Sequence, residues 1–390
     1  MIIKNSLDEV KKRETALNII KTIINTQGRN ALYDVTGLSG GFIANENDLN
    51  LVETYVGPAI FEDELQIVGK EHLGGEKILA VNRTSAGILA SILALVKKGD
   101  HVSHFLAKHP GHPSIPRSCE IVGASYEEFT DINKFYLKEN TSLVVITGST
   151  MDHQVIDQKT FENVVEIAHM KNIPVLVDDA SGARLRTAVF KQKKATELGA
   201  DLVVTSTDKL MPGPRGGIMS GKENLINKIK SKATQFGLEA QPPLILAMVN
   251  GIKNYREDNI IRAIRRKNEL YDLLISHDFK MFEKTPTGIM VTKESLQKYF
   301  ELSNIETKLS PRELCFLWGM ILLKEEGIIT IPAVGMPGAS ETIRFDLSSK
   351  DVTDIDLGIL YQKISKSFTR FLNSFNNLSE VKDLYFTKHL

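Results

Sequence analysis

Short apolar runs alternate with helical patterns through the middle of the chain. Runs rich in Val, Ile and Leu lie at residues 78–81, 143–146, 175–177 and 202–204. Because a strand buried on both faces has no polar alternation, these runs predict buried strands. The helical stretches between them imply right-handed crossovers. We therefore predict an α/β domain built on a mostly parallel sheet.

The two ends of the chain follow other patterns. Apolar residues recur at helical spacing until Gly28, which predicts a helix within residues 1–30. After Pro242, residues 244–274 have a mostly helical pattern, and shorter mixed elements follow. We predict an N-terminal arm (1–40), a large domain (41–245), a linking helix (246–277) and a smaller C-terminal α+β domain (278–390).

Charge and hydropathy narrow the classes of function. The 390 residues carry 48 Lys and Arg and 48 Asp and Glu, so no chain-wide field attracts nucleic acid or anionic lipid. The first 14 residues lack an apolar signal core, and no apolar run approaches the roughly 18 residues that span a bilayer. Cys119 and Cys315 lie in apolar surroundings, as buried thiols do. We expect a cytoplasmic protein with no membrane partner.

A group of small polar residues follows the first strand. Arg83, Thr84, Ser85 and Ala86 stand between that strand and an apolar helix. A helix N-terminus offers free N–H groups and partial positive charge, so Thr84, Ser85 and Ala86 could hold a phosphate. An ordinary helix N-cap is the open alternative.

Two acids end the third apolar run, in the sequence Val177-Asp178-Asp179-Ala180. Ligand crevices of parallel sheets form at the carboxyl ends of strands, so Asp178 is well placed to meet a cofactor. Binding of Mg²⁺ by the pair, or capping of the next helix by Asp179, are open alternatives.

A lysine follows the fourth run. Thr205, Ser206, Thr207 and Asp208 lead into Lys209 and a Gly/Pro-rich loop. A lone lysine is usually a surface residue. However, a pyridoxal 5′-phosphate site needs a phosphate cradle, a carboxylate for the ring nitrogen and a lysine for the Schiff base, and the three segments supply all of them. We predict this cofactor, with Lys209 as the Schiff base lysine, Asp178 at the ring and Ser206 as a further phosphate contact.

These stretches resemble the fold type I pyridoxal phosphate-dependent enzymes, specifically the selenocysteine synthase (L-seryl-tRNA(Sec) selenium transferase) family and its archaeal relatives. The most specific part is the D-K-L-x-x-G-P-x-x-G pattern around Lys209, and the similarity spans about residues 30–370. The resemblance implies a fold type I transferase fold and a homodimer with active sites at the subunit interface. It also implies Ala180 beneath the cofactor ring and either His109 or His112 stacked on its other face.

The resemblance further implies β-elimination or replacement on a serine-like substrate, which tRNA carries in that family. The arm before Gly37 is shorter than the tRNA-engaging region of bacterial selenocysteine synthases, which favours a small amino-acid-like substrate over tRNA. Arg344 resembles the arginine that holds a substrate carboxylate in many fold type I enzymes, and Arg83 is a second substrate candidate. This favours a lyase or transaminase acting on a free amino acid. A surface arginine paired with Asp346 or Glu341 is the open alternative for Arg344.

Two alternative functions of other classes remain open: a metal-binding protein and a cofactor-binding protein with little turnover. His101, His104, His109 and His112 lie within one short stretch, and so many imidazoles could bind a transition metal. A spacing of three on a strand points His101 and His104 to opposite faces, so we predict no metal. The second alternative is a protein that binds pyridoxal phosphate with little turnover.

Overall fold

Helices and strands alternate along residues 2–38 and 40–387, the part of the chain that the computed structural model describes. The strands are β1 (Tyr33–Asp34), β2 (Lys77–Val81), β3 (His101–Leu106), β4 (Ser125–Phe129), β5 (Thr141–Thr147), β6 (Val175–Asp178), β7 (Leu202–Ser206), β8 (Gly217–Gly221), β9 (Glu283–Lys284), β10 (Gly288–Val291), β11 (Ile328–Ile329) and β12 (Ile343–Asp346). The helices are α1 (Ser6–Gln27), α2 (Glu46–Leu49), α3 (Val56–Leu73), α4 (Thr84–Leu95), α5 (Ser114–Val122), α6 (Gln158–His169), α7 (Gly182–Arg184), α8 (Glu223–Gln235), α9 (Pro242–Lys253), α10 (Glu257–Ser276), α11 (Lys293–Leu302), α12 (Pro311–Glu326), α13 (Ile331–Val334), α14 (Leu357–Ser374) and α15 (Leu378–Phe386). A π-helical turn, Leu185–Val189, follows α7.

The chain divides into two units, and each is described by itself. Unit 1 consists of Met1–Ser39 and Asp258–Leu390, and unit 2 consists of Gly40–Glu257. The predicted domain limits stay predictions. Among the described residues, no helix combines the length and apolar character that a membrane crossing requires.

Unit 2 is built on a seven-stranded sheet in the order β2-β8-β7-β6-β5-β3-β4. The pairs that join β7, β6, β5, β3 and β4 are parallel. Only β8 is antiparallel to its neighbours, β2 and β7, so β2 runs in the same direction as the other strands. The predicted α/β class with a mostly parallel sheet is confirmed.

Helices cover both faces of this sheet, which explains the unbroken apolar runs. In β5, Val144 and Ile146 face a core that includes residues of α3, α6 and α9. Leu143 and Val145 face a second core that includes residues of α4, α5 and α8. The central strands β5, β6 and β7 therefore bury both of their faces, and their polar side chains are concentrated at their ends.

Unit 1 joins the beginning of the chain to its last third. Ile19 and Ile23 of α1 belong to the same apolar core as Trp318 of α12 and Phe371 of α14. Strands β12, β10 and β9 form a small antiparallel sheet, and β1 pairs with β11 in parallel. This mixture agrees with the predicted α+β character of the C-terminal third.

The helical stretch expected to link the domains is interrupted. It forms α9 and α10, which are separated at Asn254–Arg256. The Arg256 guanidinium donates to the carbonyl oxygens of Lys253 (2.9 Å) and Tyr255 (2.8 Å). This side chain satisfies carbonyl groups that the end of α9 leaves without helical partners.

Candidate functional site

The register of the sheet brings the predicted segments together at one edge. Val81, the last residue of β2, pairs with Gly217, which also pairs with Ser206 at the end of β7. Asp178, at the end of β6, pairs with Val204 and with Thr147 of β5. The segments that follow β2, β6 and β7 therefore leave the sheet at the same edge.

Helix α4 begins at this edge, directly after Arg83. The carbonyl of Arg83 accepts from Ala86 N–H (2.9 Å) and Gly87 N–H (3.1 Å), so the N–H groups of Thr84 and Ser85 stand at the open end of the helix. Thr84, Ser85 and Ala86 are half-buried. A Cβ atom at Gly217 would lie 2.7 Å from Thr84 N, so only glycine allows β8 to start this close to the helix. This end of α4 is suited to bind an anion.

Asp178 is buried, with 5% of its surface exposed. Within residues 2–38 and 40–387, its Oδ1 atom has no hydrogen-bond partner. Burial raises the pKa of Asp178 to about 6, against the lowering effect of the Lys209 amine and of the Ala180 N–H; the Asp179 carboxylate raises it further. A buried acceptor that lacks a donor fits the protonated ring nitrogen of pyridoxal phosphate.

Asp179 has a structural role instead. Both of its oxygens accept from the guanidinium of Arg186, with Nε 3.1 Å from Oδ1, and both side chains are buried. A Cβ atom at Gly148 or at Gly182 would lie within 2.0 Å of Asp179 Oδ1, so glycine is required on two sides of the carboxylate. The ion pair with Arg186 therefore accounts for Asp179 without a bound Mg²⁺.

Arg184 joins the ends of two strands, and sequence analysis missed it. This fully buried side chain donates from Nη2 to the carbonyl oxygens of Ala180 (2.7 Å) and Ser206 (2.6 Å). Its Nη1 lies 3.2 Å from Nε2 of His72. These bonds fix Ala180, which is 8% exposed, beside the end of β7. No sequence signal distinguishes this arginine from a solvated one.

Lys209 lies in a closed loop. The N–H of Thr207 donates to the carbonyl of Gly216 (3.1 Å), and its hydroxyl donates to the carbonyl of Pro214 (2.6 Å). Lys209 itself is half-buried, and it is the second-largest influence on the pKa of Asp178. The Ser206 hydroxyl, predicted to contact the phosphate, donates to Asp208.

The two candidate stacking histidines have different surroundings. His109 is 52% exposed, and its Nδ1 lies 2.8 Å from Oε2 of Glu128. His112 is half-buried, and its Nδ1 accepts from the hydroxyl of Ser114 (2.7 Å).

The electrostatic surroundings of His112 are positive. Burial lowers the pKa of His112 to about 4, and four cations lower it further: Lys209, Arg83, Arg117 and Arg215. His112 is therefore neutral at pH 7 and lies within electrostatic range of Lys209.

Arg344 belongs to unit 1, on strand β12. It is 6% exposed, and its Nη2 donates to the carbonyl of Thr36 (2.7 Å). The alternative of a solvated surface arginine is wrong, because the side chain is buried. Glu341, one of the partners considered for it, pairs instead with Lys293 (2.7 Å) and Arg312 (2.8 Å). Carboxylate binding by Arg344 stays a prediction.

The remaining histidines of the cluster also bind protein groups. His101 Nδ1 lies 2.9 Å from the Thr141 hydroxyl. His104 bonds the hydroxyls of Tyr126 (2.7 Å) and Thr147 (2.8 Å). Across the described ranges, no three His, Cys, Asp or Glu side chains are grouped as a metal site requires. Hydrogen bonds therefore account for both ring nitrogens of His104 and for Nδ1 of His101.

Comparison with known proteins adds the family context. The family model for L-seryl-tRNA selenium transferase matches residues 71–286, and that for the UPF0425 C-terminal domain matches residues 278–356. A UPF0425 pyridoxal phosphate-dependent protein of Methanothermobacter thermautotrophicus is 51% identical over 369 residues, which cover 93% of this chain and 94% of that protein. Its counterpart in Methanosphaera stadtmanae is 48% identical, over 97% of this chain and 99% of that protein.

More distant relatives share less of the sequence. The L-seryl-tRNA(Sec) selenium transferase of Aquifex aeolicus is 26% identical, over 64% of this chain and 60% of that protein. The crystal structure of a PLP-dependent aminotransferase from Streptococcus suis matches with a TM-score of 0.60 and 16% identity, over 92% of this chain and 97% of that chain. The structural match confirms the predicted fold type I architecture.

Proposed function

The chain belongs to the UPF0425 family of pyridoxal phosphate-dependent proteins, and from that premise we propose that it is an enzyme that carries its cofactor on Lys209 and acts at the β-carbon of a serine-like substrate. The predicted cofactor and the predicted relation to selenocysteine synthase are confirmed by the family matches. The reaction, the substrate and the roles of single residues belong to the proposal.

The described residues fit the cofactor at three points. The start of α4, with Thr84, Ser85 and Ala86, would hold the phosphate, and Asp178 would meet the ring nitrogen. Lys209 would provide the amine for covalent attachment. When bound, pyridoxal phosphate supplies an electron sink for the charge that develops as a bond to the substrate α-carbon breaks.

The buried carboxylate of Asp178 is the observation that carries this proposal. Its unpartnered Oδ1 and its electrostatic coupling to Lys209 support a site that combines an acid and an amine. As a carboxylate, Asp178 would keep the ring nitrogen of the bound cofactor protonated. The Lys209 amine would take and return a proton at the substrate α-carbon. Ala180 and the neutral His112 would cover the two faces of the ring.

The surroundings of His112 favour an anionic substrate. Arg83, Arg117 and Arg215 all contribute positive charge there, which would attract both the cofactor phosphate and a substrate carboxylate. Arg83 is half-buried at the start of α4 and is our first candidate for that contact. Arg344 of unit 1 is the second. We further propose a homodimer with active sites at its interface.

Two reactions agree with these features. The relatives named as L-seryl-tRNA(Sec) selenium transferases support elimination or replacement of a β-hydroxyl group, with tRNA as a possible carrier of the substrate. A contact of Arg344 or Arg83 with a free substrate carboxylate would instead fit a lyase or transaminase on a free small amino acid. A cofactor-binding protein with little turnover is the alternative outcome.

The first experiment tests the attachment point. The holoprotein is reduced with borohydride and digested, and the peptide that carries the pyridoxyl group is identified by mass spectrometry. We expect the label on Lys209 in the wild type, none after Lys209→Ala, and normal labelling after Lys222→Ala, a control lysine that pairs with Asp201 (2.6 Å). A label that persists in the Lys209→Ala protein would end the proposal.

A second arm identifies the reaction. Serine, cysteine, phosphoserine and seryl-tRNA are added in turn, while the visible absorbance of the cofactor and the release of pyruvate are followed. Turnover with a free amino acid supports the lyase or transaminase, and turnover only with seryl-tRNA supports the tRNA-bound substrate. A cofactor band that none of these compounds changes favours the protein with little turnover.

A further inference from the structure

We infer that Glu128 is a positioning residue, which holds the His109–His112 loop so that His112 lies over the cofactor. The inference rests on the proposed function, because it needs a cofactor at Lys209. Glu128 belongs to a hydrogen-bonded network with His104 and His109, two of the histidines that first suggested a metal site.

The Glu128 carboxylate forms hydrogen bonds with two residues of the loop. Its Oε2 lies 2.8 Å from His109 Nδ1, and both of its oxygens lie 3.2 Å from the Gly111 N–H. Gly111 is the residue before His112, and the His112 carbonyl then accepts from Ile115 N–H (3.1 Å) in α5. One carboxylate therefore fixes the backbone immediately before the candidate stacking residue.

The close packing of Gly111 makes this arrangement specific. A Cβ atom at Gly111 would lie 2.6 Å from His104 Cε1 and 2.8 Å from Glu128 Oε1. The loop backbone thus rests directly on the Glu128 carboxylate and the His104 ring, with no room for a side chain between them.

Buried hydrogen bonds hold Glu128 in turn. The Tyr126 hydroxyl donates to Glu128 Oε1, and the oxygen of Tyr126 accepts from His104 Nδ1 (2.7 Å). His104 Nε2 then accepts from the Thr147 hydroxyl (2.8 Å), and Thr147 pairs with Asp178 in the sheet. Each group in this series donates to the next, from Thr147 through His104 and Tyr126 to Glu128. Every linking donor therefore has an acceptor.

The protonation states agree with this direction. Burial lowers the pKa of His104 to about 4, so its ring is neutral and has one donor and one acceptor nitrogen. Burial and the neighbouring Glu128 raise the pKa of Tyr126, which stays a donor. Burial opposes ionisation of Glu128, but hydrogen bonds from Tyr126 and His109 leave its pKa below the usual range. Glu128 is therefore an anion that accepts several donors.

The test compares neighbouring glutamates on β4. In Glu128→Gln, the amide can no longer accept from all of its donors, so we expect pyridoxal phosphate to bind about tenfold to a hundredfold more weakly. Glu127→Gln is the matched control: Glu127 accepts from the Tyr136 hydroxyl (2.9 Å) and is half-exposed, and its loss should leave affinity unchanged. Affinity is measured by titration of the apoprotein, and the visible circular dichroism of the bound cofactor reports the environment of its ring.

A double variant separates positioning from general stability. If Glu128 acts through His112, the losses from Glu128→Gln and His112→Ala do not add in the combined protein. Unchanged affinity in folded Glu128→Gln, or fully additive losses, would overturn the inference. If Glu128→Gln does not fold, Tyr126→Phe takes its place with the same criteria. Absence of label on Lys209 in the wild type would instead refute the proposed function, so the two failures are distinguishable.

Discussion

Asp178 shows a conflict between folding and function within one side chain. Burial raises its pKa from 3.8 to about 6. Because the folded pKa is raised, the contribution of Asp178 to stability is fully present below about pH 4 and is lost as the pH rises through about 6. At pH 7 the buried charge costs about 3 kcal/mol, which a cationic ring nitrogen would offset.

We therefore predict opposite effects of Asp178→Asn on stability and on cofactor binding. The apoprotein variant should resist urea better than the wild type at pH 7.5, by up to about 3 kcal/mol, because it buries no charge there. At pH 4 the two proteins should unfold at similar urea concentrations. Titration with pyridoxal phosphate should show weaker binding by the variant at pH 7.5. A variant that is less stable than the wild type at pH 7.5 would contradict this account.

At the scale of elements, the turn after β6 depends on two buried arginines. Arg184 bonds the carbonyls of Ala180 and Ser206, and Arg186 neutralises Asp179. Both arginines lie in α7 and the π-helical turn that follows it. This short segment therefore fixes the geometry of Asp179 and Ala180, the two residues that follow Asp178.

Removing one partner of the buried Asp179–Arg186 ion pair should lower the free energy of unfolding far more than removing both partners. Arg186→Met leaves Asp179 charged and buried, and we expect a loss of about 3–5 kcal/mol in the free energy of unfolding. Asp179→Asn combined with Arg186→Met should recover much of that loss, since no buried charge remains. Urea unfolding of the single and double variants measures the coupling. Losses that simply add would argue against an ion pair in the folded protein.

Sequence patterns predicted the strands that carry continuous apolar runs, and they missed β8. Residues 175–177 and 202–204 mark β6 and β7 closely, because both faces of these strands are buried. Strand β8 begins and ends with glycine, since Cβ atoms at Gly217 and Gly221 would collide with neighbouring backbone. Its composition therefore resembles that of a loop.

The candidate site shows the same division. Asp178 and Lys209 were predicted because each directly follows a buried strand, where parallel sheets bind ligands. Arg184 and Glu128 were not, since their bonds to Ser206 and to Gly111 join residues that are 22 and 17 positions apart in the sequence. The choice between His109 and His112 as the stacking residue also required the structure, because both residues lie in one loop.

At the scale of the whole molecule, several histidines with lowered pKa values make unit 2 sensitive to acid. Burial lowers the pKa of His72 to about 3 and those of His104 and His112 to about 4. A lowered histidine pKa means that its contribution to stability is complete above about pH 6.5 and falls as the pH drops toward the folded value. Asp178 changes in the opposite direction and offsets part of the effect.

We predict that the free energy of unfolding of the apoprotein falls between pH 7.5 and pH 5. Each of the three histidines should contribute about 2 kcal/mol to the decrease, because the unfolded chain binds protons that the folded chain excludes. Urea unfolding at the two pH values measures it, and replacement of His104 by Gln should reduce the difference. Equal stability at both pH values would show that these rings are protonated in the folded protein.

The division of the chain also has a consequence for biosynthesis. Unit 1 combines the first 39 residues with those from Asp258 onward, and Ile19 and Ile23 of α1 are buried against helices near the C terminus. On the ribosome, the first helix therefore emerges long before the surface that covers it exists. At typical translation rates this interval is on the order of tens of seconds, during which unit 2 can fold while the apolar stripe of α1 is available to chaperones.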